Sequence, residues 1–170
     1  MKRKTNTSRR GFWIVESAAA IAVIGIGVVA LVGSQQAWHV QTVASEKLAT
    51  GMRLATEIRE MSLLLPANDP ITGTATWGVE IGETIPLDID DLDDLDDAIF
   101  SASDSSGPID ATGEVIVGMA GWEQQITVHC VNPFDITQNV SDGSSDAIRL
   151  EVTVLFDGVE TARLPWIAPR

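Results

Sequence analysis

The sequence predicts an α+β chain, with one long N-terminal helix packed on a C-terminal antiparallel sheet of three to four strands. Three observations carry this expectation. An apolar run, GFWIVESAAAIAVIGIGVVALVG, fills residues 11–33. Apolar residues then recur at spacings of three and four up to Leu65, with no proline on the way. Near the C-terminus, two segments of alternating apolar and polar residues are followed by a third strand-like run, joined to the second by Asp157-Gly158.

The helix comes first. From Phe12 to Val32 the only charged residue is Glu16. At about 1.5 Å per residue this run spans roughly 30 Å, the hydrocarbon thickness of a bilayer. Lys2, Arg3, Lys4, Arg9 and Arg10 precede it with no acid among them, while Ser34, Gln35 and Gln36 follow it. The positive-inside rule therefore keeps the N-terminus in the cytoplasm and sends the body across the membrane. Beyond the apolar run, Val40, Ala44, Leu48, Met52, Ala55, Ile58, Met61 and Leu65 form a stripe that ends at Pro66 and Asp69-Pro70. Within the apolar half, Gly25, Gly27 and Gly33 each lower helix propensity by about 1 kcal/mol relative to alanine. They favour either local melting of the stem or close packing of small residues between helices.

Residues 66–121 are rich in Gly, Pro, Thr, Ser and Asp and read as a loop region, with a short strand over Ala75–Ile81 and Trp77 as its packing anchor. The body then ends in three strand-like runs. Trp122–Val131 alternates up to Asn132-Pro133. Ala147–Phe156 alternates with Ile148, Leu150, Val152 and Val154 on one face. Val159–Ile167 returns after the Asp157-Gly158 hairpin signal.

Composition excludes several functions. The formal net charge is −13, and from residue 11 onward six basic residues face 24 acidic ones. A body this acidic repels nucleic acid, so no nucleic-acid partner is expected. Cys130 is the one cysteine, which rules out an intramolecular disulfide. Adjacent strand residues point to opposite faces, so His129 and Cys130 cannot form a thiolate–imidazole pair. His39 beside Trp38 suits an interfacial position just past the apolar run. No phosphate loop, serine-nucleophile motif or metal-spaced histidine pair is present, and an enzyme is not expected.

Glu16 is the residue that needs explaining. A carboxylate in hydrocarbon costs a few kcal/mol even on lenient scales, so such residues usually have a partner and a task. A secretory signal peptide has a shorter apolar region and a small-x-small cleavage site, which Val32–Ala37 meets poorly. Ser8-Arg9-Arg10-Gly11-Phe12 looks like a twin-arginine signal, again without a cleavage site. The third reading is an anchor that stays with the protein.

Arg9-Arg10-Gly11-Phe12-Trp13-Ile14-Val15-Glu16, followed by a long apolar run, resembles the N-terminus of type IV prepilins and type II secretion pseudopilins. The resemblance is specific over residues 9–33 and architectural over the rest. It implies a leader, residues 1–11, removed by prepilin peptidase between Gly11 and Phe12. It also implies N-methylation of Phe12 and an assembly role for Glu16, the fifth residue of the mature chain. Cutting there creates an amine on Phe12 that can pair with the Glu16 of a neighbouring subunit. In a low dielectric such a pair favours one axial register. The implied layout is a transmembrane and assembly half of the helix over 12–33 and an amphipathic half over 34–65. A variable loop region over 66–121 and the sheet over 122–170 complete it. The implied partners are other pilin or pseudopilin subunits, the peptidase, an inner-membrane assembly platform and the bilayer. The implied location is the inner membrane, single-pass, and then a periplasmic or cell-surface filament. The proline that many pilins carry near Gly33 is missing here.

One further segment bears on chemistry. Asp88–Asp97 holds seven aspartates in ten residues. Calcium takes six to eight oxygens, and clustered carboxylates supply them. Asp88, Asp90, Asp91, Asp93 and Asp94 are thus candidate calcium ligands, and some pseudopilins do stabilise a loop near their sheet with calcium. The EF-hand order is not met, since Leu92 and Leu95 interrupt it. The competing reading is a short amphipathic helix or turn, with Ile89, Leu92, Leu95 and Ile99 inward and the aspartates in water. The function expected from the whole sequence is a structural subunit, of the minor kind, in a type IV pilus or type II secretion pseudopilus. The alternatives are a membrane-anchored extracytoplasmic binding module and a twin-arginine-exported soluble domain.

Overall fold

A computed structural model describes the backbone of residues 9–69, 71, 73, 76–103 and 107–168, and side chains from residue 13 onward. Residues 1–8 of the expected leader, and the side chains of Arg9, Arg10 and Phe12, lie outside what is described. The chain divides into two compact units, residues 1–45 and 46–170. One helix, α1, runs Arg9–Ser62 and belongs to both by sequence.

In the first unit every described side chain of α1 is exposed. Trp13, Ile26 and Val29 each show more than two thirds of their surface (71%, 71% and 73%). An 18-residue window has mean hydropathy 2.4 and none of it is buried. This helix is long and apolar enough to cross a membrane.

The second unit is an antiparallel sheet with the end of α1 against it. Its strands are β1 (Ile99–Ser101), β2 (Trp122–Asn132), β3 (Asp135–Asn139), β4 (Ile148–Phe156) and β5 (Val159–Ala168). The order is β1-β2-β4-β5, and β3 pairs with the end of β2 through Val131 and Asn132. The alternating runs behave as their period requires. Ile148, Leu150, Val152 and Val154 of β4 are buried, as are Trp122, Gln124, Ile126, Val128 and Cys130 of β2. Asp157 and Gly158 take positive φ of 50° and 76°, the mirror-image turn that matches strand twist, and Phe156 pairs with Val159 across it.

Three expectations need correction. The helix stops at Ser62, and Leu63 and Leu64 unwind as a turn, because the ring of Pro66 bars helical geometry at the residue before it. The stripe on α1 is also displaced. Gly51, Leu54, Ala55, Ile58 and Met61 are buried, whereas Val40, Ala44, Leu48 and Met52 are exposed. Gly51 explains part of this. A Cβ there would lie 2.9 Å from the Ala162 Cβ, so the missing side chain lets α1 approach β5 at that turn. Finally, Thr76–Ile81 forms bends and turns, not a strand. The extra pairing comes instead from β1, where Phe100 is buried, and from the exposed β3.

A buried amide joins the layers. Gln124 is fully buried in β2. Its Nε2 donates to the Leu54 carbonyl of α1 at 2.9 Å and to the Ile109 carbonyl at 3.1 Å, and its Oε1 accepts from the Ile109 N–H at 2.9 Å. One side chain thus ties helix, strand and the 107–116 loop together. Replacing Gln124 with leucine leaves the Ile109 amide groups without their partner. The expected cost is about 1–3 kcal/mol. Urea unfolding of the detergent-solubilised protein, followed by tryptophan fluorescence, measures it. An unchanged midpoint contradicts the bridging role.

Candidate functional site

Two features of the chain invite a functional reading, one in each unit.

The first is the apolar face of α1. Glu16 lies one helical turn past Phe12 and is exposed on the bare helix, as are its apolar neighbours. Ser17 has turned inward on its own helix, its hydroxyl donating to the Trp13 carbonyl at 2.9 Å. Glu16 is thus the one formal charge on the described surface from Trp13 to Val32. Apolar on all sides, this segment is built to be covered by lipid or by other apolar helices.

The second is the acidic run. Leu92 and Leu95 enter the core, 2% and 0% exposed, and the 3-10 turn Asp93–Leu95 lets them do so three residues apart. That part of the amphipathic expectation stands. The aspartates do not follow it. Asp91, Asp93 and Asp94 are 1%, 1% and 0% exposed. The turns of residues 78–83 explain part of this. The Gly78 N–H donates to Asp93 Oδ2 at 3.1 Å, which brings that segment against the run. Ile99, expected inward, is 43% exposed.

The run holds itself by local bonds. Asp90 N–H donates to Asp94 Oδ2 and Asp94 N–H donates to Asp91 Oδ1, both at 3.1 Å. Asp96 anchors it outward, accepting from Trp77 Nε1 at 3.0 Å and from the Val128 N–H of β2 at 2.9 Å. Trp77 is therefore a packing anchor, half-buried against the core. Asp91 Oδ2, Asp93 Oδ1 and Asp94 Oδ1 have no hydrogen-bond partner among the described residues.

Of the expected calcium ligands, Asp90, Asp91 and Asp94 come together, each with a carboxylate oxygen within 4.8 Å of the others. Asp94 also closes a second group at the same spacing with Glu80 and Glu83. Asp93 faces Asp91 closely enough that a proton on one would bond the other. Asp88 belongs to neither group; it is exposed and accepts from the Thr84 N–H at 2.9 Å. Sequence reasoning missed Glu80 and Glu83. Their spacing of three in a glycine-punctuated turn was visible, but only the fold-back of residues 78–83 brings them to Asp94.

Burial pushes the Asp91 carboxyl up to about 7, against the hydrogen bond from Asp94 and with the charges of Asp93 and Glu80. Burial likewise raises Asp93 and Asp94. The arrangement can take up protons or a hard cation. No family model, curated protein or solved structure matches the chain.

The sign of the pH effect follows. A carboxyl raised in the folded state binds more protons there than in the unfolded chain between about pH 4 and pH 7, so stability falls as pH rises through that window. In buffer free of divalent ions, thermal unfolding should occur at lower temperature at pH 8 than at pH 5. Asp91→Asn should flatten that slope. A profile equally steep in the variant would show that other groups set it.

Proposed function

We propose that this chain is a structural subunit, of the minor kind, in a type IV pilus or type II secretion pseudopilus, built into its filament through α1. The observation that carries the reading is the placement of one acid. Gly11-Phe12 and Glu16 stand at the head of a 54-residue helix that is apolar all round at its start and carries an antiparallel sheet at its end.

The mechanism begins with insertion. The basic leader stays in the cytoplasm and the apolar half of α1 spans the bilayer. Prepilin peptidase cuts after Gly11, and Phe12 is methylated. Each subunit then carries a cation at Phe12 and an anion at Glu16. Extracting a subunit into a filament exchanges lipid for the apolar helices of neighbours. In that dry bundle the Glu16 of one subunit pairs with the amine of the next. A helix out of step strands both charges in low dielectric, so correct register is favoured by the cost of error more than by the strength of the bond. The acidic body meets water and partners outside the membrane.

Mass spectrometry of the mature N-terminus in the native host should find methyl-Phe12. An intact leader, or a start beyond residue 34, sinks the reading and favours the anchored-module or the exported-domain alternative. Glu16→Ala should leave insertion and cleavage intact while subunits fail to join filaments in sheared-filament immunoblots. Incorporation at the wild-type level would show that the charge takes no part in assembly.

A further inference from the structure

We propose that the groove at the C-terminal end of α1 docks a partner polypeptide, through an apolar residue of the partner that has lysine or arginine on both sides of it. Three segments build the groove. Met61, Leu64 and Leu65 come from the end of α1 and the turn after it, Pro86, Leu87 and Ile89 from the turns that follow, and residues 111–113 close it. Its volume is about 320 Å³. That is room for a large side chain, at the low end of the roughly 300–1,000 Å³ usual for binding pockets.

The walls are fixed by bonds within the chain. The Leu92 N–H donates to the Pro66 carbonyl at 3.0 Å, which ties the acidic run to the end of α1. The Ala111 N–H donates to Glu57 Oε2 at 3.2 Å, which ties the third wall to the same helix. Gly113 turns at a φ of 82°, and a Cβ there would stand 3.8 Å from the Pro86 carbonyl oxygen. A partner therefore meets a formed site and is spared the cost of ordering one. Leu64 and Leu87 are 83% and 84% exposed, one on each of two walls. A lone exposed leucine is ordinary, but two lining one apolar cavity mark an interaction site.

Charge selects the partner. Between Arg59 and Arg149 the sequence has 18 acidic residues and no lysine or arginine. Asp88 follows Leu87 on one wall, and Asp110 and Glu114 bracket residues 111–113 on another. Asp88 and Glu114 are exposed and Asp110 is half-buried, and none of the three meets a basic side chain among the described residues. The Thr112 hydroxyl and N–H donate to Asp110 Oδ1 at 2.7 and 2.8 Å and hold its carboxyl below the usual carboxylate range, so it stays charged. Arg53 and Arg59, the arginines of this part of α1, already pair with Glu57 and Glu60. An apolar cavity with uncompensated acid on two walls fits an apolar residue with a cation on each side, and its field steers such a segment in.

The same field repels anionic lipid and a second copy of this face. A second copy also brings no spare cation among the described residues. Lys47 lies over the Phe156 ring, Arg149 is held by the Ile136 carbonyl and Asn139 Oδ1, and Arg163 meets Glu151 and Glu160. The occupant is therefore a different polypeptide. The groove lies wholly within residues 46–170 and does not rest on the filament reading.

The test uses the full chain in nanodiscs of zwitterionic lipid, with empty discs as the blank. The probe is a fluorescein-labelled peptide with one central tryptophan and two lysines on each side of it, followed by fluorescence anisotropy. It should bind saturably, and more weakly as salt rises. Leu64→Ser combined with Leu87→Ser, both at exposed positions, should weaken binding by about tenfold or more. Phe134→Ser, an equally exposed position on the turn between β2 and β3, should leave it unchanged. A peptide with glutamate for lysine should not bind. In the native host, photo-crosslinking from Leu87 should yield adducts whose sequenced peptides come from another protein and carry lysine or arginine on both sides of an apolar residue. No binding, binding that survives the leucine substitutions or accepts the glutamate peptide, or adducts that are absent or join a second copy or lipid, overturns the proposal.

Discussion

A single uninterrupted helix is apolar enough in its first half to cross a membrane and lays its end on a sheet, and the rest of the structure answers to that constraint. Helical hydrogen bonds close within the segment, so α1 can pass through hydrocarbon and continue into water without a backbone penalty. The side chains make the distinction. From Phe12 to Val32 they are apolar apart from Glu16 and Ser17. From Gly51 to Met61 they present one buried stripe. The sheet is the cover for that stripe, and Gln124 fixes helix to strand by spending a buried amide on the Leu54 carbonyl. The buried core of the second unit is built from residues lying between Leu54 and Ala168.

The two unusual charge placements share one logic. Glu16 is an acid on an apolar helix with no basic side chain near it among the described residues, and the carboxylates of the acidic cluster are buried in a stretch without lysine or arginine. In each case the chain leaves a charge for something else to complete. For Glu16 the proposed complement is the amine of a neighbouring subunit; the carboxyls of the cluster, raised by burial, can take up protons or a hard cation. A buried charge is poor as a source of net stability and good as a check on correct assembly, because its partner has to arrive in one place.

Much of this was legible in the residues. Period-two alternation located β2 and β4, since one face of each had to be buried, and Asp157-Gly158, which tolerates positive φ, dictated the tight turn from which β5 returns. The end of α1 came within three residues, because a proline restricts its predecessor but does not say how far the last turn unwinds. The stripe was less legible. A periodic apolar residue such as Leu48 is buried only where the sheet reaches it, and glycine, which no hydrophobic pattern counts, marked the closest approach. The acidic cluster was half legible: Leu92 and Leu95 marked the inward face, but the burial of the aspartates arose from residues 78–83, far from them in pattern. Short strands such as β1 carry too few residues to show a period.

The central claim is that the apolar half of α1 is covered by helices of other subunits once the protein is assembled. Site-specific photo-crosslinking from Ile21, whose side chain is exposed on the bare helix, addresses it in cells under filament-forming conditions. The account predicts adducts to other subunits with apolar N-terminal helices, made through the first turns of those helices and lost in Glu16→Ala. Adducts to lipid alone, unchanged by Glu16→Ala, would contradict it.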